Sequence, residues 1–170
     1  MIELLSDGDA LDGIGAADIT ALTDRATAAT FYKEDLSPEQ VDANRRVVRI
    51  AADTALAACA SGHQSFTAAF VDGLFAGYVI STVHAPDDRE LDWLMVDPGF
   101  HGQGVANVLM QAGMDWLGTD RPMWLNVIQH NERAIGFYRK HGFEIDHQAE
   151  IYRVVPHFIM RRRPTGLSES

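Results

Sequence analysis

Twelve residues in the second half of the chain constrain it most: Val96-Asp97-Pro98-Gly99-Phe100-His101-Gly102-Gln103-Gly104-Val105-Ala106-Asn107, where three glycines separate an extended apolar run from a helical one. Glycine lets a backbone come close to a ligand. A helix opening at Gly104 leaves its first N–H groups without partners four residues back and turns its positive dipole end outward, so the natural guest is an anion such as a phosphate or pyrophosphate. There is no Gly-Lys-Ser/Thr after the glycines and their spacing departs from the dinucleotide fingerprint, which excludes two other phosphate loops. A ligand-free tight turn would use the same glycines, so the loop takes its meaning from its surroundings.

Those surroundings read as alternating elements. Residues 14–31 carry Ile19, Leu22 and Ala26 at helical spacing, and Tyr32-Lys33-Glu34-Asp35 closes that helix. A second helix opens on Ser37 as cap, Pro38 at the first position and Gln40 three after the cap. Its apolar stripe is expected to run through Val41, Val48, Ala52, Leu56 and Cys59. After Gly62 the period becomes extended: residues 65–71 and 74–83 flank Asp72-Gly73, a hairpin signal because both turn positions favour positive φ. Pro86-Asp87-Asp88 turns the chain into a third strand over 89–96. The helix after the glycine loop, 104–117, is expected to bury Val105, Val108, Leu109, Ala112 and Trp116. Residues 123–127 form a strand parallel to its predecessor through this crossover. Asn131 then caps a short helix that Gly142 ends. Residues 143–145 and 151–161 close the sheet. The order is ααβββαβαββ, with a further short strand at Ile2 to Leu5. The fold class is α/β (α+β), a mixed sheet flanked by helices.

Composition bounds the rest. The 170 residues fit one domain, expected over 1–164 with a short tail at 165–170, and 46% of them are apolar, enough for a core. Fourteen Lys and Arg against 24 Asp and Glu leave −10, which argues against general nucleic-acid binding. The lone Cys59 excludes an internal disulfide and a cysteine-built metal site, and its place on the helical stripe makes it packing rather than a nucleophile. His63, His84, His101, His130, His141, His147 and His157 lack paired ligand spacing, so no metal is expected. With no basic-then-apolar start and no apolar run near about 18 residues, a cytoplasmic protein off the membrane is expected.

Two motifs at a set separation resemble the GNAT superfamily of acetyl-CoA-dependent N-acetyltransferases, over roughly residues 66–162. The family loop Arg/Gln-x-x-Gly-x-Gly/Ala is matched by His101-Gly102-Gln103-Gly104-Val105-Ala106, with histidine departing at the first position. The signature Asn-x-x-Ala-x-x-Phe-Tyr-x-Lys-x-Gly-Phe is complete as Asn131, Ala134, Phe137, Tyr138, Lys140, Gly142 and Phe143. The resemblance implies a mostly antiparallel twisted sheet whose parallel strands splay to admit the pantetheine arm. Leu94, Met95 and Val96 would then face the arm and thioester. Residues His101, Gly102, Gln103, Gly104, Val105, Ala106 and Asn107 would cradle the pyrophosphate. Asn131 would bond the arm or cap its helix, and Ala134, Phe137 and Lys140 would complete the coenzyme site. Arg133, Arg139 and Lys140 are the cations placed for the 3′-phosphate.

The resemblance also implies direct acetyl transfer to a primary amine, on a small molecule or a peptide. Tyr138 matches the general acid, and a phenol of reference pKa about 10 is protonated at neutral pH. For the base, Glu90, Asp92 and ordered water stay open. Strict alternation puts Glu90, Asp92 and Leu94 on one face and Leu91, Trp93 and Met95 on the other, unless a bulge intervenes. Tyr32, Glu34, Asp35 and Glu39 form an acidic-aromatic group that would attract an amine. A coenzyme A sensor without turnover and a nucleotide binder remain the alternatives, and the chain is expected as a monomer or homodimer.

Overall fold

Asp72 and Gly73 both take positive φ, 49° and 81°, and the turn they make joins β2 (Gln64–Val71) to β3 (Leu74–Ala85). The structure is a computed structural model and describes residues 1–149, 151 and 153–165, so all but Thr165 of the expected tail lies outside the described residues. Before the hairpin come β1 (Ile2–Ser6), a one-turn α1 (Gly8–Leu11), α2 (Ala16–Phe31) and α3 (Pro38–Ala60). After it come β4 (Asp88–Val96), a 3₁₀ turn at Pro98–Phe100, α4 (Val105–Leu117), β5 (Met123–Ile128), α5 (Glu132–Lys140), β6 (Phe143–Ile145) and β7 (His157–Arg162). The seven strands form one sheet in the order β1-β2-β3-β4-β5-β7-β6, antiparallel throughout except for β4 against β5. The expected short strand at the amino terminus is real and pairs with β2.

Each sheet face has its own core. On one, Leu91 and the partly buried Leu94 and Val96 of β4 pack with Leu109, Met110 and Met114 of α4 and Ile135 of α5. On the other, Tyr78 and Ile80 of β3 pack with Ile19 and Leu22 of α2 and Ala51 and Ala55 of α3, with Trp93 and Met95 at the margin.

Two helical stripes differ in phase from the expectation. In α4 the buried positions are Val105, Leu109, Met110, Gly113, Met114 and Leu117, and Trp116 is 40% exposed. The phase follows Gly113, whose Cα lies so close to β3 and β4 that a Cβ would come 3.0 Å from Leu91 and 3.2 Å from Val79. In α3 the buried positions are Asn44, Val48, Ala51, Ala52, Ala55 and Ala58, while Leu56 faces out and Cys59 is half-buried. Alanines let α3 approach α2 and the sheet, and Asn44 earns its burial by donating to the Phe31 carbonyl at 2.9 Å.

The last strand is also shorter than expected. It begins at His157 and not at 151. Pro156 has no N–H for a ladder, and its carbonyl instead accepts from Gln129 N–H at 3.0 Å. Val155 is buried with Phe31, Val48 and Ile128, so the chain before β7 is drawn toward α2 and α3.

Gly77 of β3 stands opposite Val96, and a Cβ there would lie 2.6 Å from the Met95 carbonyl oxygen and 3.0 Å from Leu109 Cδ1. Backbone cannot yield as a flexible side chain can. Gly77→Ala is expected to cost about 2–3 kcal/mol, as overpacked cores do, read from the denaturation midpoint. A wild-type midpoint would show that β4 shifts freely.

Candidate active site

The glycine loop has the shape its sequence asks for. Gly102 and Gly104 take φ of 81° and 84°, and nothing lies within 4 Å of where either Cβ would sit. Gly104 is the N-cap of α4, and the first bond of that helix runs from Val108 N–H to the Gly104 carbonyl at 3.1 Å. The N–H groups of Val105, Ala106 and Asn107 therefore precede the ladder and face outward. Before the loop, Asp97 accepts from Gly99 N–H at 2.9 Å and pairs with Arg25 of α2 at 2.8 Å, which ties the end of β4 to the opposite layer.

Helix α5 flanks this loop. Arg133 Nη1 stands 3.4 Å from His101 Nδ1, and His141 Nε2 is 3.1 Å from Asn107 Oδ1. Where the family loop has Arg or Gln, this chain has a histidine with an arginine beside it. Arg139 and Lys140 are exposed on the last turn of α5. The Asn131 side chain caps α5, its Oδ1 accepting from Ala134 N–H at 3.2 Å, and this leaves the amide Nδ2 free of that bond.

Beside the loop the sheet opens. β4 and β5 pair only at Glu90 and Trp124, whereas β3 follows β4 all the way to Val96. From residue 91 to 96 the edge of β4 facing β5 has no ladder, nor has the facing edge of β5 from 125 to 128. Backbone groups left so are a template for an extended, amide-bearing chain. Leu94 and Val96 look toward the α4–α5 side of this gap, and Met95 toward α2 and α3. Ala134, Phe137 and Tyr138 share the cluster of Leu94 and Val96. Tyr138 is partly buried, its ring 5.7 Å from Phe137 and 6.3 Å from Phe143 between centroids. Burial pushes its hydroxyl up to about 12, so the phenol keeps its proton across the neutral range. It makes no hydrogen bond to the described residues.

The expected grouping of Glu90, Asp92 and Leu94 is half right. The register jumps from Ile80 against Trp93 to Ser81 against Leu91, which leaves Asp92 as the extra residue of a bulge. Glu90 and Asp92 keep one side together and the bulge sends Leu94 to the other. Glu90 is buried and 2.9 Å from His84 Nε2. Asp92 lies on the same side as Glu90, and burial first, then the neighbouring Glu90 carboxylate, pushes it up to about 7. His84 stacks on Trp124 at 6.1 Å, and the Trp124 indole N–H donates to Asp88 at 2.7 Å. In the sequence His84 is a histidine without paired ligand spacing and Trp124 one residue of a strand; the signal that joins them to the site is the bulge, which places position 84 beside position 90.

The raised Asp92 carboxyl binds its proton more tightly folded than unfolded, so its contribution to stability is largest at low pH and is lost as pH rises from about 4 to about 7. The thermal midpoint is expected to fall between pH 5 and pH 8, with that slope flattened in Asp92→Asn. An unchanged slope would remove the buried acid.

Tyr32 of the acidic-aromatic group packs by Phe31, Val48 and Ile128, near the end of β5. His130 Nε2 meets the Thr30 carbonyl at 3.0 Å, so α2 closes over this end of the gap. Among the described residues no three His, Cys, Asp or Glu side chains cluster to hold a metal ion, and no helix is long and apolar enough to cross a membrane.

A helix start with outward N–H groups thus stands beside an unladdered parallel strand pair, and residues 13–143 match the acetyltransferase (GNAT) family; the chain belongs to that family. It is 42% identical over 79 residues to an uncharacterised N-acetyltransferase of Mycobacterium bovis, covering 44% of this chain and 49% of that protein. It is 35% identical over 63 residues to the peptidyl-lysine N-acetyltransferase YjaB of Escherichia coli, 37% of this chain and 41% of that one. The chain thus spans about half the length of the curated relatives it matches. The PaiA N-acetyltransferase of Thermoplasma acidophilum, solved with coenzyme A, superposes with a TM-score of 0.70 at 19% identity over 96% of this chain and 99% of that one. At that identity the likeness concerns the fold.

Proposed function

We propose that this chain transfers the acetyl group of acetyl-CoA to a primary amine by direct attack in a ternary complex. The observation that carries this reading is the gap between β4 and β5, unladdered from residue 91 onward and ending at the left-handed glycines 102 and 104. Two features support it: an extended slot that suits an amide-bearing arm, and outward N–H groups that suit a pyrophosphate.

In this reading residues 102–107 hold the pyrophosphate, with His101 and Arg133 beside it and Lys140 and Arg139 toward the 3′-phosphate. Backbone of Leu94, Met95 and Val96 pairs with the arm, and the free amide Nδ2 of Asn131 bonds it. Ala134 and Phe137 supply apolar wall. A backbone N–H near Leu94 or Met95 stabilises the carbonyl oxygen as charge develops there. The acceptor enters from the α2–α3 side, where Glu90 and Asp92 lie, and the carboxyl pair takes the ammonium proton. Tyr138 gives its proton to the departing thiolate. The acceptor is a small molecule or a peptide amine; the acidic pair favours one that arrives as a cation.

The test is acetyl-CoA consumption across a panel of polyamines, amino sugars, aminoacyl compounds and lysine peptides, with isothermal titration of coenzyme A alongside. Turnover on at least one acceptor is expected. Tight coenzyme A binding with no turnover on any would make the chain a sensor, and stabilisation by nucleotides beyond that from coenzyme A would make it a nucleotide binder.

A further inference from the structure

Glu90, buried, and Asp92, half-buried as the extra residue of the bulge, lie on the same side of β4, and carboxylates so placed oppose each other's charge. The groups that face the pair come from three places. His84 of β3 reaches Glu90 Oε1 through Nε2 at 2.9 Å. Arg153, from the segment before β7, is close enough to favour the charged form of Asp92. Tyr78 of β3 feels the Asp92 charge, but its hydroxyl is 2.7 Å from Thr23 Oγ1. Asp88 is turned aside by its bond to Trp124. Among the described residues, then, only His84 hydrogen-bonds to the Glu90 side chain.

His84 is built to hold its place. Its ring lies nearly parallel to the Trp124 indole, 20° between planes, and Asp88 fixes that indole. The His84 side chain keeps 43% of its surface in solvent while that of Glu90 keeps 9%. A hydrogen bond from the imidazole N–H favours the ionised carboxylate, whether or not the ring is also charged.

Resting on the acetyltransferase reading above, we propose that His84 is a positioning residue for acceptor deprotonation: by donating from Nε2 it holds the negative charge on Glu90, so that Asp92 is the carboxyl that exchanges a proton with the acceptor amine. The ammonium N–H bond breaks and Asp92 carboxylate takes the proton; the freed amine lone pair forms the N–C bond as the C–S bond breaks, the departing thiolate takes the Tyr138 proton, and the second proton of the amide nitrogen returns to the Tyr138 oxygen. Glu90 stays anionic throughout and attracts the cationic acceptor. Without His84 the pair keeps its proton to higher pH, because the anionic partner has lost its donor.

The test compares wild type with His84→Phe, which keeps a ring on Trp124 but has no donor, and His84→Gln, which keeps an N–H. With an acceptor that reacts, the acidic limb of the kcat/KM profile is expected to move up by half to one pH unit in His84→Phe. Activity should then fall about two- to fivefold at pH 7 and return near wild type at pH 9, with KM for acetyl-CoA unchanged, and His84→Gln should lie closer to wild type. A superimposed profile, or a loss equal at every pH, overturns the proposal. Carbon-13 NMR of the side-chain carboxyls, assigned with Glu90→Gln and Asp92→Asn, gives a reading without turnover. The Asp92 carbon is expected to titrate near neutrality in wild type and at higher pH in His84→Phe. An Asp92 titration that is the same in wild type and His84→Phe overturns the proposal. If no acceptor is turned over by wild type, the acetyltransferase reading fails by itself, and the carboxyl titration still decides whether His84 holds the charge on Glu90.

Discussion

Tyr138→Phe is expected to lower kcat by about 10²–10⁴-fold, the range in which a positioned general acid contributes, with the dissociation constant of coenzyme A unchanged. The substitution is clean on structural grounds. The hydroxyl makes no hydrogen bond to the described residues, so its removal orphans no partner, and the ring contacts to Phe137 and Phe143 remain. Stability should stay within about 0.5 kcal/mol, as for changes that touch no named mechanism. The loss therefore belongs to the step in which sulfur leaves. Because burial has pushed the phenol up to about 12, the wild-type rate should show no downturn from this group below about pH 10. Pre-steady-state acetyl transfer with purified variants measures both points. Full turnover by Tyr138→Phe would hand the proton to water and leave the tyrosine as packing.

Local chemistry was legible wherever one residue dictates one conformation. The Ser37-Pro38-Gln40 cap, the Asp72-Gly73 turn, Asn131 at the start of α5 and glycine at 104 each form what their side chains require. The parallel pairing of β4 and β5 followed from the crossover, but its failure beyond Glu90 and Trp124 did not, since divergence is set by how α4 and α5 seat on the sheet. Likewise the stripes of α3 and α4 could not be phased from apolar spacing alone. Small residues, Gly113 in one and a row of alanines in the other, mark the contact line, and a pattern that counts large apolar residues passes over them. The carboxyl pair was visible as alternation. The bulge at Asp92 was not, because it depends on β3 across the ladder.

Gly104→Val is expected to weaken coenzyme A binding about 10- to 100-fold, or roughly 1.4–2.8 kcal/mol, and the reason is conformational. A Cβ at this position would meet nothing of the protein within 4 Å, but φ is 84°, where a β-branched residue is strained by about 1–3 kcal/mol. The chain escapes that strain by rotating the loop, and rotation turns away the N–H groups of residues 104–107. If a valine does hold the native turn, its methyls fill the open space the diphosphate needs. Gly104→Asn separates the two effects, since asparagine tolerates the left-handed region: it should keep the fold at wild-type stability and lose less affinity than valine. A truncated donor, S-acetylpantetheine, carries no diphosphate, so its slower turnover should be the same in wild type and Gly104→Val. Equal coenzyme A affinity in both proteins, or an equal loss with the truncated donor, would move the anion site away from the start of α4 and leave the gap between β4 and β5 as the sole determinant of donor binding.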